Sequence, residues 1–356
     1  MQEFLYFKTM TDYIIVGLGL AGVAFCEQLQ QKGKSFIVIN QNESASVVSA
    51  GLYNPVITKR YTLAWQADIQ IQSAIPFYQE LEKKLDVNLL YPLPVYRLFH
   101  SVAEQNQWFE ASDKPQLQKY LSDKLITNPF YQVNAPLGFG EIRLSGRMDV
   151  KSLVKSYKEF LKTENLIIEE EFNFDALQVS EQIQYKNYFA KKIVFAEGFG
   201  IKQNPFFNQL PLVGNKGELL LLHVPDWNVN AIIKSDIFIV PIQNHFYLIG
   251  TTYDFDDKTT LPTETAKKQL LSTFKDIYSG DFEVVEHTAG IRPTVIDRRP
   301  LIGVHPRFTN IAVLNGLGTR GVMLAPYLAK MLFSFLEEQI PIHPEADIKR
   351  FKKIEW

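Results

Sequence analysis

Apolar residues recur along the chain with two periods, which predict helices and strands mixed from end to end. Apolar positions three and four residues apart predict helices over residues 63–85, 101–109, 149–162, 263–278 and 322–335. Short apolar runs predict strands over residues 166–172, 193–196, 218–222, 237–240, 246–250 and 311–314. No internal repeat, low-complexity tract or long linker divides the sequence. We therefore expect two domains that are interleaved along the chain.

The strongest local signal is a glycine-rich turn near the start of the chain. An apolar strand over residues 12–16 leads into Gly17, Gly19 and Gly22, which have the spacing GxGxxG, and a second apolar strand follows. In such a βαβ unit the glycines allow a tight turn, close approach of a phosphate and close packing of the helix. The pattern predicts a dinucleotide pyrophosphate at the N-terminus of the first helix. One departure is Asn40, which stands where an acidic residue usually binds the ribose hydroxyls.

Composition excludes several classes of function. The chain has 356 residues, which suits two domains, and a formal net charge of −2, which gives no global sign of nucleic-acid or membrane-surface binding. The single cysteine, Cys26, excludes an intrachain disulfide framework, and the six scattered histidines indicate no metal site. No apolar run reaches membrane-spanning length, so we expect a cytoplasmic protein without an integral membrane span. Met10 is an alternative start, with residues 1–9 as a poorly ordered extension.

Two segments in the second half add candidate sites. The strand over residues 193–196 ends at Ala196, and Gly198 follows, so small residues allow the backbone to approach a cofactor. Arg292 lies between Gly290 and Pro293 in a rigid, bent segment. Such an arginine can offer two fixed hydrogen bonds to a carboxylate, and the alternative is a surface ion pair.

The layout of strand, glycine loop and helix recurs near the end of the chain. A strand over residues 311–314 leads into Gly316, Gly318 and Gly321, and a nearly all-apolar helix follows through Phe335. We expect this helix to be buried and its N-terminus to stabilise negative charge. The chain thus has a pyrophosphate site near its start and a second anion-stabilising site near its end.

Five ordered motifs together resemble the family of FAD-dependent oxidoreductases that includes D-amino acid oxidase, glycine oxidase, sarcosine oxidase and the FAD domain of the bifunctional tRNA 5-methylaminomethyl-2-thiouridine enzyme. The motifs are the GxGxxG block and residues 46–55, 196–198, 290–300 and 316–326. The similarity extends from Tyr13 to about Phe351, with only an outline match in the middle. The last motif is most similar to the tRNA-modifying relatives.

The resemblance implies an α/β fold in which a Rossmann-like FAD-binding domain is interleaved with a second domain built on a mostly antiparallel sheet. The FAD-binding domain would comprise residues 10–80, 141–212 and 286–356. The substrate domain would comprise residues 81–140 and 213–285.

The resemblance also implies noncovalent FAD, because the flavin attachments seen in some relatives have no counterpart and Cys26 lies in the wrong region. The segment from Ala50 to Leu52 would pass beside the flavin ring, and Leu317 to Met323 would wrap its pyrimidine end. The residues expected to bind FAD are Gly17, Gly19, Leu20, Ala21, Gly22, Asn40, Gln41, Ala45, Ser46, Ala50, Gly51, Leu52, Phe172, Ala196, Gly198, Leu317, Gly318, Thr319, Arg320, Gly321, Val322 and Met323.

For the substrate, Arg292 matches the arginine that grips the carboxylate in this family. Phe238 stands where D-amino acid oxidases have a tyrosine whose hydroxyl also holds the carboxylate. Thr319 stands where glycine oxidase has a second arginine, and Arg320 beside it is a substitute from a shifted angle. Tyr253 is a further candidate for the pocket. The expected catalytic set is therefore Arg292, Arg320, Phe238 and Tyr253, and no metal is expected.

Three functions remain open. The leading hypothesis is an FAD enzyme that oxidises the C–N bond of an amino acid or N-substituted glycine, with oxygen or a quinone as electron acceptor. The second is a stand-alone FAD enzyme that acts on a carboxymethylaminomethyl group of tRNA uridine, which the neutral chain weakens. The third is a non-catalytic flavoprotein that serves as an assembly or interaction partner, since Asn40, Phe238 and Thr319 depart from the family.

Overall fold

The computed structural model describes residues 10–41 and 45–356. The expected N-terminal extension, residues 1–9, lies outside these ranges. The strands are β1 Thr11–Val16, β2 Phe36–Ile39, β3 Leu52–Tyr53, β4 Val56–Ile57, β5 Thr62–Leu63, β6 Leu90–Pro92, β7 Val95–Leu98, β8 Leu121–Ile126, β9 Phe139–Ile142, β10 Gly146–Met148, β11 Ile167–Ile168, β12 Leu177–Val179, β13 Ile183–Tyr185, β14 Tyr188–Phe195, β15 Asn215–His223, β16 Ile232–Lys234, β17 Phe238–Pro241, β18 Phe246–Gly250, β19 Glu283–Arg292, β20 Leu301–Val304 and β21 Ile311–Asn315.

The α-helices are α1 Leu20–Gln31, α2 Ala67–Leu85, α3 Val102–Ser112, α4 Val150–Thr163, α5 Glu264–Ile277 and α6 Gly321–Glu338. Short 3₁₀ helices cover Phe174–Ala176, Gly198–Gln203 and Ile348–Arg350. No helix in the described ranges is long and apolar enough to cross a membrane. The cytoplasmic location stays a prediction.

The described chain divides into two compact units. Unit 1 comprises the described residues up to Val47, then Lys151–Gly214 and Arg292–Trp356. Unit 2 comprises Val48–Val150 and Asn215–Ile291. The chain therefore alternates between two bodies, as expected from the mixed pattern of helices and strands.

Unit 1 is built on a sheet with parallel strands in the order β11, β2, β1, β14 and β21. Antiparallel strands β13 and β12 extend from β14, and β20 pairs with β21. The side chains from Tyr13 to Val16 are at most 4% exposed, as expected for a strand that is covered on both faces. This arrangement confirms the predicted Rossmann-like sheet and brings the carboxyl ends of β1, β2, β14 and β21 to one edge.

Unit 2 is built on a sheet in the order β19, β15, β18, β17, β16, β7, β9 and β8, in which the pair β16 and β7 is parallel. Neighbouring residues of these strands alternate between two apolar clusters, so both faces are covered. Leu270 and Phe274 of α5 belong to one cluster, whereas Trp108 of α3 belongs to the other. The expected second, mostly antiparallel sheet is therefore present.

The boundaries of the units differ from the predicted domain boundaries. Residues 48–80, 141–150 and 286–291 belong to unit 2, whereas the sequence predicts them in the FAD-binding domain. Strand pairing explains part of the difference, because β3 pairs with β10 and β10 pairs with β6. The assignment of the segments to FAD and substrate stays a prediction.

Two predicted elements are shorter than expected. The strand predicted over residues 166–172 is limited to β11, because its partner β2 ends at Ile39, opposite Ile168. The helix predicted over residues 63–85 begins at Ala67, because Thr62 and Leu63 form β5. The strand over Phe246–Gly250 has the predicted bounds.

Candidate functional site

The first glycine loop of unit 1 leaves no room for larger side chains. Gly17 has φ +97°, and a Cβ there would lie 2.6 Å from the Ala196 carbonyl oxygen. A Cβ on Gly22 would lie 2.1 Å from the Gly17 carbonyl oxygen. The backbone of β14 and the first turn of α1 therefore both press against the turn at Gly17, which only glycine permits.

Two side chains hold the amides of this loop. The Leu18 N–H donates to Asn40 Oδ1 at 2.9 Å, and the Leu20 N–H donates to Ser46 Oγ at 3.3 Å. Asn40 thus uses its amide oxygen within the protein, so the residue that replaces the expected acid stabilises the loop itself. The sequence did not indicate this contact, because it needs the ends of β1 and β2 side by side.

The N-terminus of α1 is open to an anion. Its N-cap residue, Gly19, has no side chain to cap the helix, and the first turn contains no acidic residue. The backbone N–H groups of a first turn lack intrahelical partners and carry the positive end of the helix dipole. Ala21 and Gly22 therefore present the kind of site that binds phosphate oxygens.

The end of β14 lies directly beside this loop. The Ala196 N–H donates to the Val16 carbonyl oxygen at 2.8 Å. Gly198 has φ +57°, and its carbonyl oxygen accepts from Asn315 Nδ2 at 2.8 Å. Asn315, which is 2% exposed at the end of β21, thereby joins the carboxyl ends of two parallel strands.

Glu197, between the two predicted cofactor residues Ala196 and Gly198, is a residue that the sequence reasoning missed. Its Cα lies 3.3 Å from the position that a Cβ on Gly17 would take. Burial raises the pKa of its carboxyl to about 7, against a hydrogen bond from Asn204 that lowers it. An acidic residue at the carboxyl edge of the sheet, next to a glycine motif, was the available signal.

The second glycine loop leads from β21 to α6. Gly316 and Gly318 have φ +75° and +53°, and the Gly318 N–H donates to the Pro293 carbonyl oxygen at 3.2 Å. Thr319 is exposed and Arg320, the N-cap residue of α6, is half-buried without capping the helix through its side chain. The first turn of α6 contains no acidic residue, so this N-terminus also favours an anion.

The N-terminal turns of α1 and α6 are neighbours. A Cβ on Gly321 would lie 2.9 Å from Leu20 Cδ1. Leu317, Val322 and Met323 are at most 9% exposed, so the apolar side chains of the second loop are buried in unit 1. The structure thus brings together the two anion-favouring helix ends that the sequence predicts more than 290 residues apart.

Arg292 is the first residue of the last segment of unit 1. It is the last residue of β19 and is partly buried. The Thr294 N–H donates to the Arg292 carbonyl oxygen at 2.8 Å, and the next peptide carbonyl, that of Pro293, accepts from Gly318. The backbone that carries Arg292 is therefore fixed against the loop that leads into α6.

The predicted residues Ala50, Gly51 and Leu52 lie in unit 2. Gly51 has φ +67°, and a Cβ there would lie 1.8 Å from the Met148 carbonyl oxygen. The Met148 N–H donates to the Gly51 carbonyl oxygen at 2.9 Å. The close contact with Met148 of β10 requires a glycine at position 51. The packing of unit 2 therefore explains why glycine occurs in the motif over residues 46–55.

The other predicted substrate residues also lie in unit 2. Phe238, on β17, is paired with Gly250, and a Cβ on Gly250 would lie 3.1 Å from Phe238 Cζ. Tyr253 is 61% exposed in the segment after β18.

Three further predicted cofactor residues lie outside the two glycine loops of unit 1. Gln41 and Ala45 are exposed on either side of the undescribed residues 42–44. Phe172 follows β11, and its ring stacks on Tyr185 with the centroids 4.5 Å apart. Their role toward a cofactor stays a prediction.

Comparison with known proteins identifies the family. Residues 12–334 match the model of the FAD dependent oxidoreductase family. The chain belongs to this family. Membership indicates an enzyme with FAD as its cofactor, which confirms the predicted family and cofactor and leaves the non-catalytic alternative without support.

The relatives include enzymes and longer bifunctional proteins. The chain is 23% identical to a glycine oxidase of Pseudomonas aeruginosa, over 92% of this chain and 95% of that protein. It is 23% identical to the tRNA 5-methylaminomethyl-2-thiouridine biosynthesis bifunctional protein of Idiomarina loihiensis, over 96% of this chain but only 59% of that protein. The crystal structure of glycine oxidase from Geobacillus kaustophilus has a TM-score of 0.79 with 17% identity, covering 93% of this chain and 96% of that chain. The structural similarity supports the fold.

The residues of unit 1 fit the pyrophosphate of FAD. Gly17 and Gly22 keep the first loop open. A Cβ at either position would collide with a backbone oxygen. The N-cap residue of the helix that follows, Gly19, has no side chain, and the first turn contains no acid. This donor set, of backbone N–H groups at a helix N-terminus, is the one that pyrophosphate-binding proteins use.

Proposed function

We propose that the protein oxidises the C–N bond of an amino acid or N-substituted glycine and that Arg292 binds the substrate carboxylate. The observation that carries the proposal is the hydrogen bond from the Gly318 N–H to the Pro293 carbonyl oxygen. It fixes the backbone next to Arg292 against the loop that begins α6. A guanidinium on a fixed backbone can hold a carboxylate in one orientation, which is the main demand of this chemistry.

In this proposal unit 1 binds FAD at both helix ends. The first turn of α1, beginning at Leu20, binds the pyrophosphate, and the first turn of α6, beginning at Gly321, stabilises negative charge on the flavin. Bound FAD supplies the acceptor for the hydride that leaves the substrate carbon. Cys26 is fully buried in α1, which supports the expectation that FAD is bound without a covalent link. Denaturation in acid should therefore release all the flavin from the protein.

Substitution of Arg292 tests the carboxylate site. The purified protein is reduced anaerobically with glycine, sarcosine, proline and D-amino acids in turn, and bleaching of the flavin absorption gives the apparent Kd of each. Arg292→Ala should raise the apparent Kd of the reducing substrate about 100-fold, since a charge-assisted bidentate contact is lost. Arg292→Lys should recover only part of the affinity, because lysine keeps the charge but loses the planar fork.

The matched control is Arg299→Ala, which removes another arginine of unit 1 that pairs with Glu345. This variant should keep the wild-type Kd. If Arg292→Ala bleached with wild-type affinity, the proposed carboxylate site would be wrong. If no amine bleached the flavin of the wild-type protein, the proposed substrate class would fail.

Similarity to the tRNA-modifying protein favours a second candidate function. That relative matches 96% of this chain. The substrate would then be the carboxymethylaminomethyl group of a tRNA uridine, which also carries a carboxylate on a C–N bond. Bleaching by such a tRNA but by no free amino acid would establish this function. Unaltered modified uridines in tRNA from a deletion strain would exclude it.

The electron acceptor is a separate question with a direct test. Oxygen or a quinone reoxidises the flavin in the two expected cases. Mixing the reduced protein with air and, in a second experiment, with a soluble quinone gives the two reoxidation rates. The faster reaction identifies the enzyme as an oxidase or a dehydrogenase.

A further inference from the structure

One acidic side chain at the carboxyl edge of unit 1 has no cation beside it among the residues that the structure describes. Glu197 follows β14 directly, and its Cα is 3.3 Å from the position of a Cβ on Gly17. The pyrophosphate that we assign to the first glycine loop lies at this same edge. A carboxylate beside bound phosphates would repel them, unless it carries a proton.

One of the two carboxyl oxygens of Glu197 accepts a hydrogen bond within the protein. Asn204 Nδ2 donates to Glu197 Oε2 at 2.7 Å. Asn204 is fully buried, and its own Oδ1 accepts from the Phe206 N–H at 2.9 Å, which fixes the orientation of the amide. The other carboxyl oxygen, Oε1, has no hydrogen-bond partner within the described residues. This oxygen is not completely buried. Glu197 is partly exposed, so a ligand can reach this residue.

No charged side chain of the described residues stabilises the ionised form. Lys202, on the same short helix, donates to the Asn208 and Leu210 carbonyl oxygens at 2.7 and 3.3 Å. The neighbouring strand β21 contributes the neutral amide of Asn315, which binds the Gly198 carbonyl oxygen. Burial therefore dominates and raises the pKa of Glu197 to about 7. At neutral pH the carboxyl is protonated in a large fraction of the molecules.

We propose that Glu197 is part of the FAD-binding site and that its neutral carboxyl donates a hydrogen bond to a pyrophosphate oxygen. This inference rests on the proposed binding of FAD by unit 1. The proton comes from solvent when FAD binds to the ionised protein, so each such binding event takes up one proton. The nearby phosphates stabilise the protonated form further, so the pKa of Glu197 rises on binding.

The proposal predicts that FAD affinity depends on pH. At pH 6 and below the carboxyl is largely neutral and the affinity is nearly constant. Above pH 7 binding must include protonation, so the Kd of FAD should increase by up to about tenfold per pH unit. Apoprotein is titrated with FAD at pH 6.0, 7.0, 8.0 and 8.5, and flavin fluorescence or calorimetry gives the Kd.

Glu197→Gln is the decisive variant, because glutamine keeps the shape and an N–H donor at every pH. Its Kd should stay within about twofold of the wild-type value at pH 6 and should not increase toward pH 8.5. Glu181→Gln is the matched control, since it removes the same charge from an exposed turn of unit 1. This control should keep the wild-type dependence on pH.

Each other outcome overturns the inference. A Glu197→Gln variant that keeps the wild-type pH profile would show that another group titrates. A variant that binds FAD much more weakly at all pH values, with an unchanged Tm of the apoprotein, would show that the carboxylate accepts a hydrogen bond from a sugar hydroxyl. A wild-type protein that binds no FAD at any pH would defeat the proposed function together with this inference.

Discussion

The pKa of a glutamate is shifted in opposite directions at the two edges of the parallel sheet in unit 1, where the strands begin and where they end. Glu197, at the carboxyl edge, has an amide as its partner, and burial raises its pKa to about 7. Glu337, near the end of α6 at the other edge, accepts from Lys34, Tyr13 and Lys192. Burial also opposes the charge of Glu337, but these hydrogen bonds outweigh it and lower the pKa to about 2.

The difference shows how one fold separates stability from binding. At the amino edge, charges are paired within the protein and tie α6 to β14 and to the segment before β2. At the carboxyl edge, helix ends, glycine turns and one carboxyl oxygen keep free hydrogen-bonding capacity. Such capacity is costly unless water or a ligand satisfies it. We expect substitutions at the carboxyl edge to affect FAD binding and those at the amino edge to affect folding.

The largest expected effect is that of Gly22→Ala. The new Cβ would lie 2.1 Å from the Gly17 carbonyl oxygen, so the first loop must shift. We expect the Kd of FAD to increase at least about 100-fold, because the backbone N–H groups no longer converge on the pyrophosphate. Fluorescence titration with FAD measures this effect.

Gly33→Ala is the matched control from the amino edge. Gly33 has φ +64° with no atom within 4 Å of an added Cβ. The variant should lose about 1 kcal/mol of stability from backbone strain and keep its affinity for FAD. Equal losses of FAD affinity in both glycine variants would remove the distinction between the edges.

The next effect is that of Glu337→Gln, which removes the charge at the amino edge. Lys34 and Lys192 then lose their common partner, and we expect a loss of about 1–2 kcal/mol, reduced by the solvent that reaches the site. The Kd of FAD should change less than about twofold, because the helix end that binds FAD lies at the opposite end of α6. Glu338→Gln, at the exposed neighbouring residue, is the control.

The effect of Glu337→Gln should vanish in acid. The pKa of Glu337 in the folded protein is about 2, below its ordinary value of 4.5. Its contribution is therefore fully present above pH 4.5 and is lost as the pH falls toward 2. Urea unfolding of both proteins at pH 7, 5 and 3 measures the difference in free energy. A difference that persists undiminished at pH 3 would contradict the charge pairing.

The smallest expected effect concerns Asn40. Asn40→Ala removes the acceptor of the Leu18 N–H, which should cost about 1 kcal/mol and weaken FAD binding about fivefold. Asn40→Asp keeps an acceptor and should restore the stability of the apoprotein. If Asn40→Ala had the stability of the wild-type protein, the contact with Leu18 would have no energetic role.

Prediction from the sequence was most accurate where the signal is local. The glycines at positions 17, 19 and 22 follow a strand and open a helix, as the spacing predicts. The apolar helix after Gly321 is buried as expected. Such features depend on neighbours within a few residues, so the sequence contains them directly.

Prediction was less accurate where distant segments decide the outcome. The polar alternation of β19 gave no strand signal, yet Glu283–Arg292 forms one because β15 is its neighbour. The strand predicted over residues 166–172 is short, because its partner β2 ends opposite Ile168. Pairing across a sheet supplies hydrogen bonds and burial that no window of sequence includes.

By itself the sequence determined the two helix ends that favour anions and the family to which the chain belongs, because glycine spacing and apolar runs act locally. The tertiary structure alone decided that Gly321 lies against Leu20, that Asn40 holds the Leu18 amide, and that Glu197 has an amide but, within the described ranges, no cation beside it. These contacts join residues far apart in the chain, and the pKa of a carboxyl depends on the burial and charges around it, which only the folded chain creates.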